Sequence, residues 1–128
     1  MVRLNAPEKI TGTRNQTVTV NLTAALKDGY HVASNVAPSY PLKISLAENP
    51  AAQLQDVAFP AAKSHKLGTE TLSVFDGEFP LKLTLKILPN APIGRTMLTG
   101  KVRYQACDDR SCLRPDTIEL KVPLDIRN

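Results

Sequence analysis

The chain has 128 residues, 42% of them hydrophobic and 22% charged, with ten prolines, six glycines, two cysteines and no tryptophan. That length can bury one core without metals or several disulfides, and the abundance of Thr, Val, Pro and Gly favours strands and turns over helices. The formal charge of +4 is carried by scattered lysines and arginines with no basic run and no interleaved aromatics, which argues against a nucleic-acid footprint, and no stretch approaches the roughly 18 apolar residues of a membrane span.

Residues 1–14 read as a polar leading segment with at most a short edge strand around Lys9 to Thr11. From Gln16 the pattern changes: Val18, Val20 and Leu22 alternate with Thr17, Thr19, Asn21 and Thr23, the period-2 signature of a strand with one buried face, and the run stops at the turn dipeptide Asp28-Gly29. Tyr30 to Ala33 is a short apolar strand leading into a proline-rich connection, and Leu42, Ile44 and Leu46 mark a third strand. Residues 47–68 are the least regular part; Pro50 and Pro60 bracket too few residues for an independent helix, and Leu54, Val57 and Phe59 are the expected anchors.

Asp76-Gly77 is a hairpin signal. A two-residue turn there would pair Phe75 with Glu78, Val74 with Phe79 and Leu72 with Leu81, with Leu83, Leu85 and Ile87 continuing the buried side. After a loop over Pro89 to Gly94, Leu98, Val102 and Tyr104 line one side of the next strand, while Thr99, Lys101, Arg103, Gln105 and, by parity, Cys107 lie on the other. The last strand carries Ile118, Leu120, Val122 and Leu124, and Pro123 marks it as an edge or strand end. The expected fold is all-β, an immunoglobulin-like antiparallel β-sandwich formed by residues 1–128 as one domain. The missing Trp and the close cysteines exclude an antibody-type domain.

Cys107 and Cys112, separated by four polar residues, are the chemically distinctive pair. As a structural staple a disulfide closing so small a loop is worth on the order of 2 kcal/mol, roughly 2 kcal/mol less than one closing about fifty residues. A zinc site would need His31 and His65, which match no zinc spacing and are expected to be surface or packing residues, so no metal and no cofactor are called for. A redox-active pair is the leading reading, with two idle thiols or a structural bridge left open. If Val102 opposes Ile118 and Leu98 opposes Val122, a plain ladder sets Cys107 opposite Leu113, so a bridge to Cys112 requires a bulge or irregular turn around Arg110 to Pro115. Asp108 and Asp109 disfavour a thiolate and Arg110 and Arg114 favour one, so the thiols are expected near the ordinary pKa of ~8.5.

Tyr104-Gln105-Ala106-Cys107 followed by Cys112-Leu113-Arg114-Pro115 resembles the YQxC…C-x-x-P signature of the N-terminal periplasmic domain of the thiol:disulfide interchange protein DsbD family, and Asp28 to Val32 and Leu72 to Phe79 resemble further stretches of it. The resemblance implies a thiol:disulfide exchange module that accepts electrons from a thioredoxin-like donor domain. It would pass them to periplasmic thiol-disulfide proteins such as disulfide isomerases and cytochrome c maturation thioredoxins. It also implies that Cys112 forms the mixed disulfide and Cys107 resolves it, and that a cap over residues 66–75 shields the pair with Leu72 or Phe75. Glu70 would be an acidic neighbour of the thiols, and Tyr30 and Tyr40 further shields. A periplasmic monomer is expected, attached to a membrane only through a fused segment outside this chain. The competing reading is a non-enzymatic β-sandwich binding module with a structural disulfide.

Overall fold

The computed structural model describes residues 2–128. The strands are β1 (Val2–Asn5), β2 (Ile10–Thr13), β3 (Thr17–Leu26), β4 (His31–Ala33), β5 (Lys43–Leu46), β6 (Ala52–Ala58), β7 (Lys63–Leu67), β8 (Glu70–Asp76), β9 (Glu78–Ile87), β10 (Gly94–Tyr104), β11 (Ala106–Cys107) and β12 (Asp116–Arg127). They form three four-stranded sheets, in the orders β1-β3-β9-β6, β2-β12-β10-β5 and β11-β4-β8-β7. The fold is all-β and immunoglobulin-like. Every pairing is antiparallel except β2 with β12, which is parallel.

The core lies between the first two sheets and follows from alternation. Val18, Val20, Leu22, Ala24 and Leu26 of β3 and Phe79, Leu81, Leu83, Leu85 and Ile87 of β9 are buried, and Val20 pairs with Leu83 and Leu22 with Leu81. Leu98 and Val102 of β10 and Leu120, Val122 and Leu124 of β12 join the same cluster from the second sheet. The register between β10 and β12 sets Val102 opposite Ile118 and Leu98 opposite Val122, as the apolar spacing requires. Pro123 lies on the stretch of β12 that has β10 as its one neighbour, just before β2 joins at Leu124; from there on β12 is interior.

The third sheet is made of bent continuations of core strands. The chain passes from β3 to β4 through the turn at Asp28-Gly29, from β8 to β9 through Gly77, and from β10 to β11 through Gln105. Gly29 and Gly77 hold left-handed φ values of 85° and 62°, which glycine adopts without strain. Gly77 corrects the hairpin reading. β8 pairs with β4 and β7, whereas β9 pairs with β3 and β6, so the chain bends at Gly77 and changes sheet instead of reversing. Apolar alternation on the two arms is the same in either arrangement. Leu81 and Phe79 find Leu22 and Ala24 as partners instead of Leu72 and Val74.

Two further readings are corrected. The leading segment supplies two strands, β1 against β3 and β2 against β12, one to each core sheet. Residues 47–68, read as irregular, contain β6 and β7. In β6 the register shifts between Leu54 and Asp56, which breaks the alternation that marks a strand in sequence. Its anchors Leu54 and Val57, and Phe59 after it, do pack against the core.

Candidate functional site

Cys107 ends β11 and Cys112 follows a four-residue turn, and a disulfide joins them. The turn is held by its own first residue: the Asp108 carboxylate accepts hydrogen bonds from the backbone N–H groups of Arg110 and Ser111, both 2.8 Å long. Such side-chain-to-backbone bonds are what Asp contributes to tight turns. They hold the Asp108 carboxyl below the usual aspartate range. The Asp108 N–H also bonds the Ser111 carbonyl at 2.9 Å, closing the turn.

The ladder departs from plain pairing here. β10 and β12 remain in register to Tyr104 opposite Asp116, but Cys107 then opposes Cys112. Three steps lead from Tyr104 to Cys107 and four from Asp116 back to Cys112, so the return arm holds one extra residue within Leu113 to Pro115. The offset is fixed by the Leu113 N–H bonding the Ala106 carbonyl at 2.8 Å and the Gln105 side-chain amide bonding the Leu113 carbonyl at 3.0 Å. Tyr104 is buried beneath it and donates its hydroxyl to Asp116 Oδ2 at 3.2 Å, and burial pushes its phenol pKa up. Cys112 is exposed and Cys107 half-buried.

β11 lies against β4, with Ala106 opposite Val32 and Cys107 opposite His31. Since directly opposed residues project to the same face, the registers of β11, β4, β8 and β7 gather Cys107, His31, Asp76, Leu72 and His65 on the outward face of the third sheet. The other face turns Ala106, Val32 and Phe75 into the core. The cysteine turn folds across to this outward face, where Asp109 Oδ1 lies 2.7 Å from His65 Nε2. The His31 and His65 rings are 4.7 Å apart between centroids.

The sequence reading did not anticipate this convergence of His31, His65 and Asp109. His31 lay in a stretch already singled out, but the pairing that brings it to Cys107 joins residues 76 positions apart and leaves no local trace. Burial is the main cause that lowers the His31 pKa, aided by His65 and opposed by Asp109, Asp76 and Asp108. The sign of the pH effect follows. Above the ordinary value of 6.5 the imidazole is neutral in both folded and unfolded chains; below it the unfolded chain takes up a proton that the folded chain resists. In chelated, metal-free buffer, folding stability is expected to fall as the pH drops from about 6.5. His31→Gln should flatten that slope in urea titrations; equal slopes in the two proteins would refute the assignment.

The remaining expected site residues are dispersed. Phe75 is 2% exposed and packs against Phe59 and Phe79, with ring centroids at 6.2 and 5.0 Å, so it is a core residue and not a shield over the sulfurs. The segment expected to cap the pair is the β7–β8 hairpin. Leu72 faces outward opposite His65, and Glu70 is exposed beside the hairpin turn opposite Leu67. Tyr30 is half-buried in the cleft that His31, His65 and Asp109 also line. Tyr40, 58% exposed, lines a separate groove with Arg103, Pro115 and Asp116, where the cysteine segment rejoins β12.

One small disulfide on a self-braced turn of an immunoglobulin-like scaffold, together with the family to which the chain belongs, supports a thiol:disulfide exchange module. The chain belongs to the family described as thiol:disulfide interchange protein DsbD, N-terminal, whose model matches residues 2–123. Among solved structures it is similar to the DsbD N-terminal domain of Neisseria meningitidis in the reduced form, at 17% identity over 83% of this chain and 77% of that one, with a TM-score of 0.52. It is also similar to the N-terminal periplasmic domain of ScsB from Proteus mirabilis, at 16% identity over 97% of this chain and 45% of that one, with a TM-score of 0.59. The major pilin subunit BcpA of Bacillus cereus shares the fold at 10% identity over 98% of this chain and 40% of that one, with a TM-score of 0.57. Such likeness conveys architecture and not activity. No curated protein sequence matches the chain.

Proposed function

We propose that this protein relays reducing equivalents in the periplasm, from a thioredoxin-like donor domain to thiol-disulfide proteins, through the Cys107/Cys112 pair. The observation that carries the reading is the asymmetry of the disulfide, with Cys112 exposed at the end of the turn and Cys107 half-buried on the sheet. A donor thiolate attacks Cys112 Sγ, the Cys107–Cys112 bond breaks, and Cys107 leaves as a thiolate that takes up a proton. The donor's second thiol then attacks the mixed disulfide, leaving an oxidised donor and a reduced domain, two electrons and two protons richer. Delivery runs in the opposite sense: the Cys112 thiolate attacks the acceptor's disulfide and Cys107 resolves the intermediate. Membership of the DsbD N-terminal family supports this direction of flow, and the periplasmic origin of the ScsB domain supports the compartment, where dithiols cycle instead of being held reduced.

Trapping tests it. Cys107→Ser is loaded at Cys112 with thionitrobenzoate and mixed with a thioredoxin-like domain that keeps its attacking cysteine and lacks its resolving one. The donor thiolate should release the chromophore and remain attached through a stable mixed disulfide. Release no faster than to glutathione would instead favour a binding module with an inert bridge.

A further inference from the structure

His31, His65 and Asp109 come from three separate parts of the chain, and each offers one ligand atom, all within 4.8 Å of one another. They are the one such group among the described residues. His31 is only 6% exposed, and among the described residues no group hydrogen-bonds its imidazole, yet it lines the open cleft shared with His65 and Asp109. Among the described residues no buried side-chain nitrogen or oxygen lacks a partner, so the His31 ring nitrogens open onto the cleft and are free to take a ligand there. We propose that His31, His65 and Asp109 form a binding site for one divalent transition-metal ion of the zinc type, on the outward face of the third sheet.

The ligand set selects the ion class. Two imidazoles with one carboxylate suit Zn²⁺ and its neighbours, while the hard ions Ca²⁺ and Mg²⁺ prefer all-oxygen sites. Three protein ligands leave a fourth position for water or a small anion. The geometry needs modest adjustment in both senses: ligand atoms around an ion at about 2.0–2.2 Å lie closer together than 4.8 Å but farther apart than the 2.7 Å contact of Asp109 with His65, so that contact opens as His31 is approached. The side chains that must move are free to do so: His65 is 32% and Asp109 69% exposed, while His31 is the fixed member on the central strand β4. In the absence of an ion, the 2.7 Å contact between Asp109 and His65 holds two of the three donors together. All three ligands are in place with the Cys107–Cys112 bridge formed.

The test is titration of the chelator-stripped, oxidised protein with Zn²⁺ against a chromophoric indicator. One ion per chain is expected, with His65→Asn and Asp109→Asn each weakening binding at least about tenfold, and with Glu70→Gln, on the hairpin, binding like the parent. Both substitutions are at exposed or half-exposed positions, so their folding is checked by circular dichroism and does not hinge on replacing buried His31. Absence of saturable binding below about 1 mM, a weak-affinity ceiling, overturns the proposal, as does binding that either substitution leaves undiminished.

Discussion

Cys112→Ser is expected to abolish exchange altogether, with no mixed disulfide and no turnover above the uncatalysed background. A serine hydroxyl cannot form the sulfur–sulfur bond through which both half-reactions pass, and Cys107, half-buried at the end of β11 and opposite His31, is the less accessible sulfur. Cys107→Ser should differ in kind: it still engages a partner through Cys112 and then stalls, because no resolving thiol remains. The contrast is independent of folding. Either substitution removes the same small loop closure, worth about 2 kcal/mol in the chain-entropy account, so the two variants should unfold at similar urea concentrations. Equal engagement of donors by both variants would sink the assignment of Cys112 as the attacked sulfur, and a much lower stability of one would expose a folding artefact.

Phe75→Ala is expected to cost about 3–5 kcal/mol, the usual penalty for emptying a buried phenylalanine site. Phe75 is fully buried between Phe59 and Phe79, and on the core side of the third sheet it stands beside Val32, which in turn neighbours Ala106. The cavity would therefore open beneath the strand that carries Cys107. Chemical denaturation of the oxidised protein measures the loss directly. A shield over the disulfide would behave differently, accelerating exchange with little effect on stability; a loss below about 1 kcal/mol, the scale of ordinary surface changes, would restore that role.

The sequence makes legible whatever is encoded by local alternation. The buried faces of β3 and β9 and the register of β10 against β12 follow from apolar spacing, and the same register requires an irregularity around Arg110 to Pro115, which falls between Cys112 and Asp116. Edge strands are poorly legible. β1, β2 and β7 are only four or five residues long, with at most two apolar residues each, and β6 carries a register shift. Asp76-Gly77 misleads for another reason: a left-handed glycine permits both a reversal and a bend, and only the availability of β3 as a partner decides between them. The cluster of His31, His65 and Asp109 is invisible in sequence because it depends on three successive pairings, β11 with β4, β4 with β8 and β8 with β7. The thiols were evident from their identity alone; their histidine neighbours required the third sheet.

The extra residue on the return arm is absorbed as a bulge, so the two cysteines face each other although an unbroken ladder would set Cys107 opposite Leu113. Shorten the stretch between Cys112 and Asp116 by one position and, with the β10–β12 ladder intact, three steps would lead back from Asp116 to Cys112, so a plain ladder would set Cys112 directly opposite Cys107. Both cysteines would still face one another after such a deletion, and the bulge within Leu113 to Pro115 would be gone. Point substitutions at Leu113 and Arg114, both exposed, preserve the count and leave the bridge aligned. The extra residue therefore shapes the return arm around the bridge and is not what aligns the two sulfurs.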